Sequence, residues 1–164
     1  MSEDIRTRLV STALKWEELF GVAPAITRAL SEYDASQLVK MPIEEYRSGC
    51  KHRTAVTRGH DFTYGDCKYQ VKANRPSGKP GSRVTKVVKA RIDQNDQWDK
   101  LIWILYNEAY ELQEAWEWTF DEYRDKFEGA KRLSPNDMRK GKRIPTSLTF
   151  QNLPNIAPDI TPML

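Results

Sequence analysis

Cysteine and histidine are scarce in this sequence of 164 residues, which contains two of each and no long apolar run. The cysteines, Cys50 and Cys67, form no CxxC pair, so we expect neither a disulfide framework nor a cysteine zinc site. No segment approaches the roughly 20 consecutive apolar residues of a membrane helix. The N-terminus lacks the apolar centre of a signal peptide. These absences favour a reduced, cytoplasmic protein that has no membrane partner.

The length and composition are those of one ordinary globular domain. Apolar residues make up 39% of the chain and charged residues 30%, with a formal net charge of +3, so the excess of base is slight. From residue 144 onwards four prolines interrupt any periodic pattern. We therefore expect a single domain over residues 1–143 and a proline-rich tail over 144–164, which is extended over a surface, disordered, or packed on a second subunit.

The first third of the chain has the spacing of helices. Apolar residues recur with helical periodicity over residues 3–20, and Pro24 suits the first turn of a second helix over 24–32. Asp34 or Ser36 is a candidate cap for a short third helix that ends near Met41. The N-terminal third is thus predicted to be helical.

Strand patterns follow from residue 52. The stretch 52–74 is rich in Thr, Val, Tyr and Phe and predicts a hairpin, and residues 75–82 are a Gly- and Pro-rich loop. The apolar run 98–107 is typical of a central strand covered on both faces. A partner strand follows over 110–118, with Leu112, Trp116 and Trp118 expected on one face. Helix returns over 120–127, so the order predicts an α/β fold with a mixed central sheet flanked by helices.

The hairpin brings together the residues that can carry chemistry. If Gly65-Asp66 is a two-residue type II′ turn, Asp61 faces Gln70, and Lys72 emerges on the same face. The opposite face collects apolar side chains suited to a core, namely Phe62, Tyr64, Tyr69 and Val71. The hairpin is therefore predicted to carry an acid–amide–lysine cluster on one face and apolar side chains on the other.

This cluster suits metal-assisted hydrolysis of a phosphodiester. The carboxylate of Asp61 and the amide oxygen of Gln70 are ligands for Mg²⁺ or Mn²⁺. Lys72 can position the attacking water and stabilise the negative charge that develops on a phosphate. The bland alternative is a solvated polar face, which is commonplace on hairpins.

Asp61 followed by Gln70-Val71-Lys72 resembles the PD-(D/E)xK signature of the restriction-endonuclease-like nuclease superfamily. Gln70 replaces the usual acid, as in Mrr-type enzymes, and Gly59-His60 stands where a proline is common. The resemblance implies a restriction-endonuclease-like core and a Mg²⁺-dependent endonuclease that cuts double-stranded DNA. It also implies a homodimer, because two strands must be cut, and a cognate methyltransferase or another defence-system protein as a partner.

In that superfamily a glutamate on the first helix often completes the metal site. Glu17 and Glu18 are the candidates, and Glu17 is preferred by its position. The resemblance thus implies a catalytic set of Asp61, Gln70, Lys72 and Glu17.

Residues 68–91 contain eight basic residues and no acidic residue. They form a cationic block that begins in the candidate strand and continues beyond it. Such a block attracts polyanions and makes binding sensitive to salt. The loop over 74–83 has side chains that donate to phosphate oxygens. The predicted DNA-binding residues are Asn74, Arg75, Ser77, Lys79, Ser82, Arg83 and Lys86. The alternative is a flexible, solvated connector.

Two other functions stay open. The missing second carboxylate of the hairpin favours a catalytically inactive nuclease-fold protein that acts as a nucleic-acid-binding or assembly module. An unrelated α/β interaction protein, whose basic loop is only a surface, is the third possibility.

Overall fold

The computed structural model describes residues 4–53, 59–93 and 98–146. In chain order the elements are α1 (Ile5–Phe20), α2 (Thr27–Leu38), α3 (Ile43–His52), β1 (Phe62–Tyr64), β2 (Cys67–Asn74), β3 (Lys100–Tyr106), β4 (Leu112–Thr119), α4 (Phe120–Phe127), α5 (Pro135–Met138) and β5 (Lys142–Ile144). The five strands form one mixed sheet in the order β1-β2-β3-β4-β5. Neighbouring strands are antiparallel except for β2 and β3, which are parallel. The predicted mixed α/β class, with helices flanking a central sheet, is confirmed.

Each face of the sheet carries its own apolar cluster. The first cluster joins α1 and α2 to the sheet through residues that include Ala13, Leu30, Val71, Ile102 and Ile104. The second joins α4 and α5 to the other face and includes Leu101, Trp103, Trp118, Phe127 and Met138. Strand β3 contributes alternate residues to both clusters, which explains its unbroken apolar sequence.

Local signals at the helix ends agree with the sequence. Helix α1 begins where the Asp4 carboxylate accepts from the backbone N–H of Arg6 and Thr7, and it ends at Gly21, whose φ is 77°. Such an N-cap and a left-handed glycine at the C-terminus are the usual ways to satisfy helix ends. The predicted helix over 3–20 is confirmed.

The prediction of two short helices in this region is wrong, because the structure has one helix, α2. It runs without a break through Asp34 and Ser36, so neither residue is a cap. Both side chains are buried and satisfied, because Asp34 accepts from Arg6 and Tyr106 while Ser36 Oγ donates to the Tyr33 carbonyl. Polar side chains with such partners do not need a helix end.

The hairpin has the predicted register and a different turn. Phe62 pairs with Tyr69 and Tyr64 with Cys67. The φ angles of Gly65 and Asp66 are 57° and 60°. Positive values at both central positions define a type I′ turn rather than the predicted type II′. An aspartate tolerates this backbone better than most residues, so the register is unaffected.

Two more expectations concern the C-terminal part. Leu112 packs on the first cluster while Trp116 and Trp118 pack on the second, so they do not share a face as predicted. The pairing of β3 with β4 shifts between Leu105 and Tyr106, and such an irregularity reverses the side-chain alternation.

The proposed tail begins at Ile144, the last residue of β5, and residues 147–164 lie outside the described part of the chain. No helix among the described residues is long and apolar enough to cross a membrane.

Candidate functional site

Asp61 lies immediately before β1. Its backbone and its side chain both form hydrogen bonds with the backbone of β2, so they extend the pairing of the hairpin by one residue. Its backbone N–H donates to the Tyr69 carbonyl at 2.7 Å. Its Oδ2 accepts from the Val71 N–H at 2.7 Å and from Gln70 Nε2 at 2.8 Å. The carboxylate therefore takes the place that a carbonyl of a longer β1 would occupy. Asp61 and Gln70 are adjacent, as the register predicts.

Glu32 on α2 is the second carboxylate beside Asp61, and sequence reasoning missed it. Arg28 approaches both side chains, with its Nη2 3.8 Å from Asp61 Oδ1, and burial together with the Glu32 carboxylate acts to raise the pKa of Asp61. Glu32 also accepts from Arg28 and from Arg53, each at 3.0 Å. The site is therefore a pair of carboxylates with two guanidinium groups next to it.

Burial sets the protonation of Asp61, which is only 7% exposed. Loss of solvation, with a smaller contribution from the neighbouring Glu32 carboxylate, raises the pKa of Asp61 to about 6 against the opposing effects of the Val71 N–H and the Arg28 guanidinium. Arg28 opposes only weakly, because Nη2 is 3.8 Å from Asp61 Oδ1 and its side chain is mostly in solvent. Near neutral pH the pair thus holds negative charge at an energetic cost.

Gln70 and Lys72 project from the same face of β2. Their neighbours on β3 are Leu101 and Trp103, which belong to the second cluster. Lys72 lies one strand repeat, roughly 7 Å, beyond Gln70. It is half-buried, and among the described residues no ion pair engages its ammonium group. Lys72 projects from the face of the sheet that carries the second cluster, whereas Glu32 lies on α2 over the other face.

Glu17 stands elsewhere, against Arg75. Its two carboxylate oxygens accept from the Arg75 guanidinium at 3.0 and 3.1 Å, and this hydrogen bonding lowers the pKa of Glu17. The structure thus places Glu32, and not the preferred Glu17, beside Asp61. A possible signal for Glu32 in the sequence is its spacing of four residues from Arg28, which is too common to identify a site.

Two of the predicted DNA-binding residues are engaged within the protein. Asn74 Oδ1 accepts from the Trp103 indole, and its Nδ2 donates to the Lys86 carbonyl. Arg75 is only 7% exposed at its side chain, donates to Glu17 and to the Glu108 carbonyl, and lies 4.1 Å from the ring centre of Tyr110. Both side chains hold the loop to the rest of the protein.

The other predicted DNA-binding residues lie on the outer part of the loop. Ser82 Oγ accepts from the Ser77 N–H at 3.0 Å, which closes a turn. Lys79, Arg83 and Lys86 are exposed, and none forms an ion pair with another described residue. These three cations form the accessible positive charge of the segment.

An open pocket of about 390 Å³ lies next to Asp61 and includes Tyr46, Arg53, His60 and Thr63 in its lining. The Nδ1 atom of His60 is buried and has no hydrogen-bond partner among the described residues, while Nε2 is 3.2 Å from Thr63 Oγ1. Burial lowers the pKa of His60, with Lys68 and Arg53 contributing. Asp61 itself is part of the lining, so the pocket gives its carboxylate access to solvent and to a ligand.

The side chains present fit a magnesium ion better than a transition metal. Among the described residues no group of three or more His, Cys, Asp or Glu is arranged to hold a metal. Two carboxylates and one amide are available instead, and Mg²⁺ often binds through one or two carboxylates together with water and substrate phosphate. The donor set is thus consistent with Mg²⁺.

The chain matches no known family and no curated protein. Its function must therefore be argued from this geometry.

Proposed function

We propose that the protein is an endonuclease that hydrolyses phosphodiester bonds in double-stranded DNA. It uses Mg²⁺, and Mn²⁺ can replace Mg²⁺. The observation that carries the proposal is the cluster of Asp61, Glu32 and Gln70, in which Arg28 approaches both carboxylates and Gln70 Nε2 donates to Asp61. Separate helix and strand elements bring these residue types together, although nothing in the core requires two carboxylates to meet. The proposal includes the restriction-endonuclease-like core and action in the cytoplasm.

Each residue of the site has a chemical role in the proposal. Asp61, Glu32 and the amide oxygen of Gln70 hold the metal, which supplies Lewis acidity toward the phosphate. Gln70 Nε2 faces Asp61 in the structure, so its amide turns over when it binds the ion. Lys72 donates to a phosphate oxygen and orients water. Arg28 and Arg53 hold Glu32 in place.

The outer loop supplies the contact with the DNA backbone. Lys79, Arg83 and Lys86 are exposed, uncompensated cations that follow directly on the strand bearing Gln70 and Lys72. Cations of this kind bind phosphates without reading sequence. A homodimer would bring two such sites to the two strands, with a cognate methyltransferase or other defence-system protein as its partner.

Cleavage of plasmid DNA with Mg²⁺, Mn²⁺ or EDTA tests the proposal. We expect metal-dependent cutting that falls at least about 100-fold in Asp61→Asn and Lys72→Met, since each removes a group that acts on the scissile phosphate. Glu32→Gln is expected to lose a similar amount. Glu17→Gln is the matched control, and it should cut within a few-fold of wild type.

Two results would contradict the proposal. Cutting that persists in Asp61→Asn would assign the activity to another site or to a contaminant. An absence of cutting on methylated and unmethylated DNA alike would favour the second function, an inactive nucleic-acid-binding module.

One observation favours that second function. Asp61 Oδ2 already accepts two hydrogen bonds and Glu32 accepts from two arginines, so the pair has structural partners without a metal. Isothermal titration with Mg²⁺ separates the two functions, because an inactive module would take up no ion at Asp61 and yet bind DNA.

A further inference from the structure

Helix α1 has an exposed apolar surface on the side that faces away from the sheet. At 3.6 residues per turn, its large apolar side chains fall within an arc of roughly 100°. This surface, here named the α1 stripe, consists of Ile5, Leu9, Trp16, Leu19 and Phe20, and Val22 adjoins it. The six side chains are between 40% and 71% exposed. Apart from them, only Val88 is a large apolar residue with comparable exposure in the described part of the chain.

The opposite side of α1 is firmly anchored, so the stripe is not a sign of a detached helix. Arg6 donates two hydrogen bonds to the fully buried Asp34, and Glu17 pairs with Arg75. Ala13 is buried in the first cluster, against which Val10 and Leu14 also pack. The stripe is therefore held in a fixed position facing outwards.

The stripe is large for the surface of a monomer. Side chains of this size bury roughly 150–250 Å² each when fully covered, and the exposed fractions then sum to about 700 Å². The largest apolar patch on a typical monomer is about 300–600 Å², whereas a standard interface covers about 800 Å² per partner. Two stripes that cover each other fully would bury about 1,400 Å² in total, which lies within the range of about 1,200–2,000 Å² for specific interfaces.

The order of residues along α1 suits a two-fold pairing. The small side chain of Thr12 lies in the middle of the stripe, with aliphatic residues before it and aromatic residues after it. An antiparallel partner therefore sets its Trp16 and Phe20 against Leu9 and Ile5, which pairs large side chains with medium ones. Trp16 and Phe20 already contact each other, with ring centres 4.6 Å apart.

Charges along α1 favour the same orientation. A two-fold axis near the middle of the helix sets exposed Arg8 and Lys15, which lie beside the stripe, at levels different from those of their own copies in the partner. A parallel pair would instead set equal charges side by side. The opposed helix dipoles add to the preference for the antiparallel arrangement.

We propose that the α1 stripe is the interface between two copies of this chain, packed antiparallel about a two-fold axis near Thr12. The inference does not depend on nuclease activity. It assigns the dimer contact to the first helix and not to the C-terminal segment.

Sedimentation velocity of the full-length chain between about 1 and about 200 µM tests the proposal. We expect a dimer with a dissociation constant in the micromolar range, and the double variant Leu19→Asp/Phe20→Asp should weaken it at least about 100-fold, because two charges are placed within the apolar contact with the partner's Ile5. Val88→Asp is the matched control, since Val88 is exposed to 65% on another segment, and its dimer should be unchanged.

A cross-link gives a second measurement that does not depend on disruption. In a Cys50→Ser background, which removes the exposed cysteine, Thr12→Cys should join two copies through a short bifunctional maleimide, and Val88→Cys should not. A full-length chain that stays monomeric over the whole range would overturn the proposal. Oxidative footprinting of Trp16 would then tell whether residues 147–164 cover the stripe or whether it is open to a different protein. A dimer that survives in the double variant would also overturn it.

Discussion

Asp61 combines a structural and a chemical position in one side chain. Its carboxylate closes the edge of the hairpin through Val71 and also meets Glu32. A buried carboxylate beside another acid is costly in its charged form. The residue best placed for chemistry is therefore one that weakens the fold near neutral pH.

We predict that Asp61→Asn stabilises the protein at alkaline pH. The folded pKa of about 6 lies above the ordinary value of 3.8, so stabilisation by the bound proton is complete below about pH 4 and is lost as pH rises through about 6. At about pH 8 the variant should gain about 2–3 kcal/mol in the free energy of unfolding, since the amide keeps its bond with Val71. Urea unfolding at about pH 4.5 and about pH 8, both in EDTA, measures the gain.

The exposed Asp93→Asn serves as the control for that measurement, with no change expected at either pH. Equal losses of stability in Asp61→Asn at both pH values would show that its carboxylate is needed as a hydrogen-bond acceptor and carries no excess charge.

Asp34 is a second buried carboxylate, and its partners are complete. Arg6 Nε and Nη2 donate to it at 2.7 and 2.8 Å, and the Tyr106 hydroxyl donates at 2.6 Å. We predict that Arg6→Met costs about 3–5 kcal/mol, because it leaves a buried charge without compensation. Tyr106→Phe should cost about 1–3 kcal/mol. Chemical denaturation at pH 7 provides both values.

Arg124→Met is the control for this network, because Arg124 forms its ion pairs at the surface with Asp121 and Asp125. Ion pairs at the surface contribute little to the free energy of unfolding, because solvent screens them. A loss in Arg6→Met no larger than in this control would show that the Arg6–Asp34 pair contributes no more to stability than a surface pair.

Sequence reasoning identified part of the candidate site for a clear physical reason. Alternation in a hairpin fixes which residues are neighbours, so Asp61 and Gln70 were found from the turn alone. Glu32 could not be found in this way, since its approach to Asp61 depends on how α2 packs against β2. The same packing decides that Glu17 meets Arg75, and no periodicity within α1 contains that information.

At the scale of elements, the basic segment after β2 divides into an inner and an outer part. The sequence presents its cations as equivalent, but Arg75 is buried against Glu17 and Tyr110 while Lys79, Arg83 and Lys86 are exposed. Gly78 permits this anchoring, because a Cβ there would lie 2.2 Å from Glu17 Oε1. One part of the loop therefore serves the fold and the other is available to a ligand.

We predict that these two parts respond differently to salt. If the outer cations bind phosphates, Lys79→Ala, Arg83→Ala and Lys86→Ala should each reduce the slope of log affinity against log salt by about 0.9. Arg75→Ala should leave the slope unchanged and destabilise the fold by about 2–4 kcal/mol, because Glu17 loses its partner. Fluorescence anisotropy with a DNA duplex at several salt concentrations measures the slope. Unchanged slopes in all three outer variants would exclude the loop from binding.

The elements themselves were predictable to different degrees. Strand β3 and helix α4 follow from an unbroken apolar run and from a helical pattern. Helix α2 was divided in error, because Asp34 and Ser36 resemble caps when their buried partners Arg6 and Tyr106 are unknown. The offset of Leu112 from the face of Trp118 arises from an irregular register that no single strand encodes.

At the scale of the whole molecule, metal binding should appear as stability. We predict that about 10 mM Mg²⁺ raises the melting temperature by about 3–6 °C at pH 8, the increase expected for a dissociation constant near 1 mM. Asp61→Asn should show no rise. Differential scanning fluorimetry with Mg²⁺ and with Na⁺ at equal ionic strength measures the effect. An equal rise with Na⁺ would identify general screening instead of a bound ion.

The parallel pairing of β2 with β3 also determines when, during synthesis, the candidate site can exist. Glu32, Asp61, Gln70 and Lys72 are all translated before Lys100–Tyr106, which is the inner neighbour of β2. Until that strand leaves the ribosome, β2 has only the three residues of β1 beside it, and an isolated hairpin is marginally stable. The nascent chain therefore carries every residue of the site long before it can hold them together, and the site assembles only as translation of the sheet nears its end.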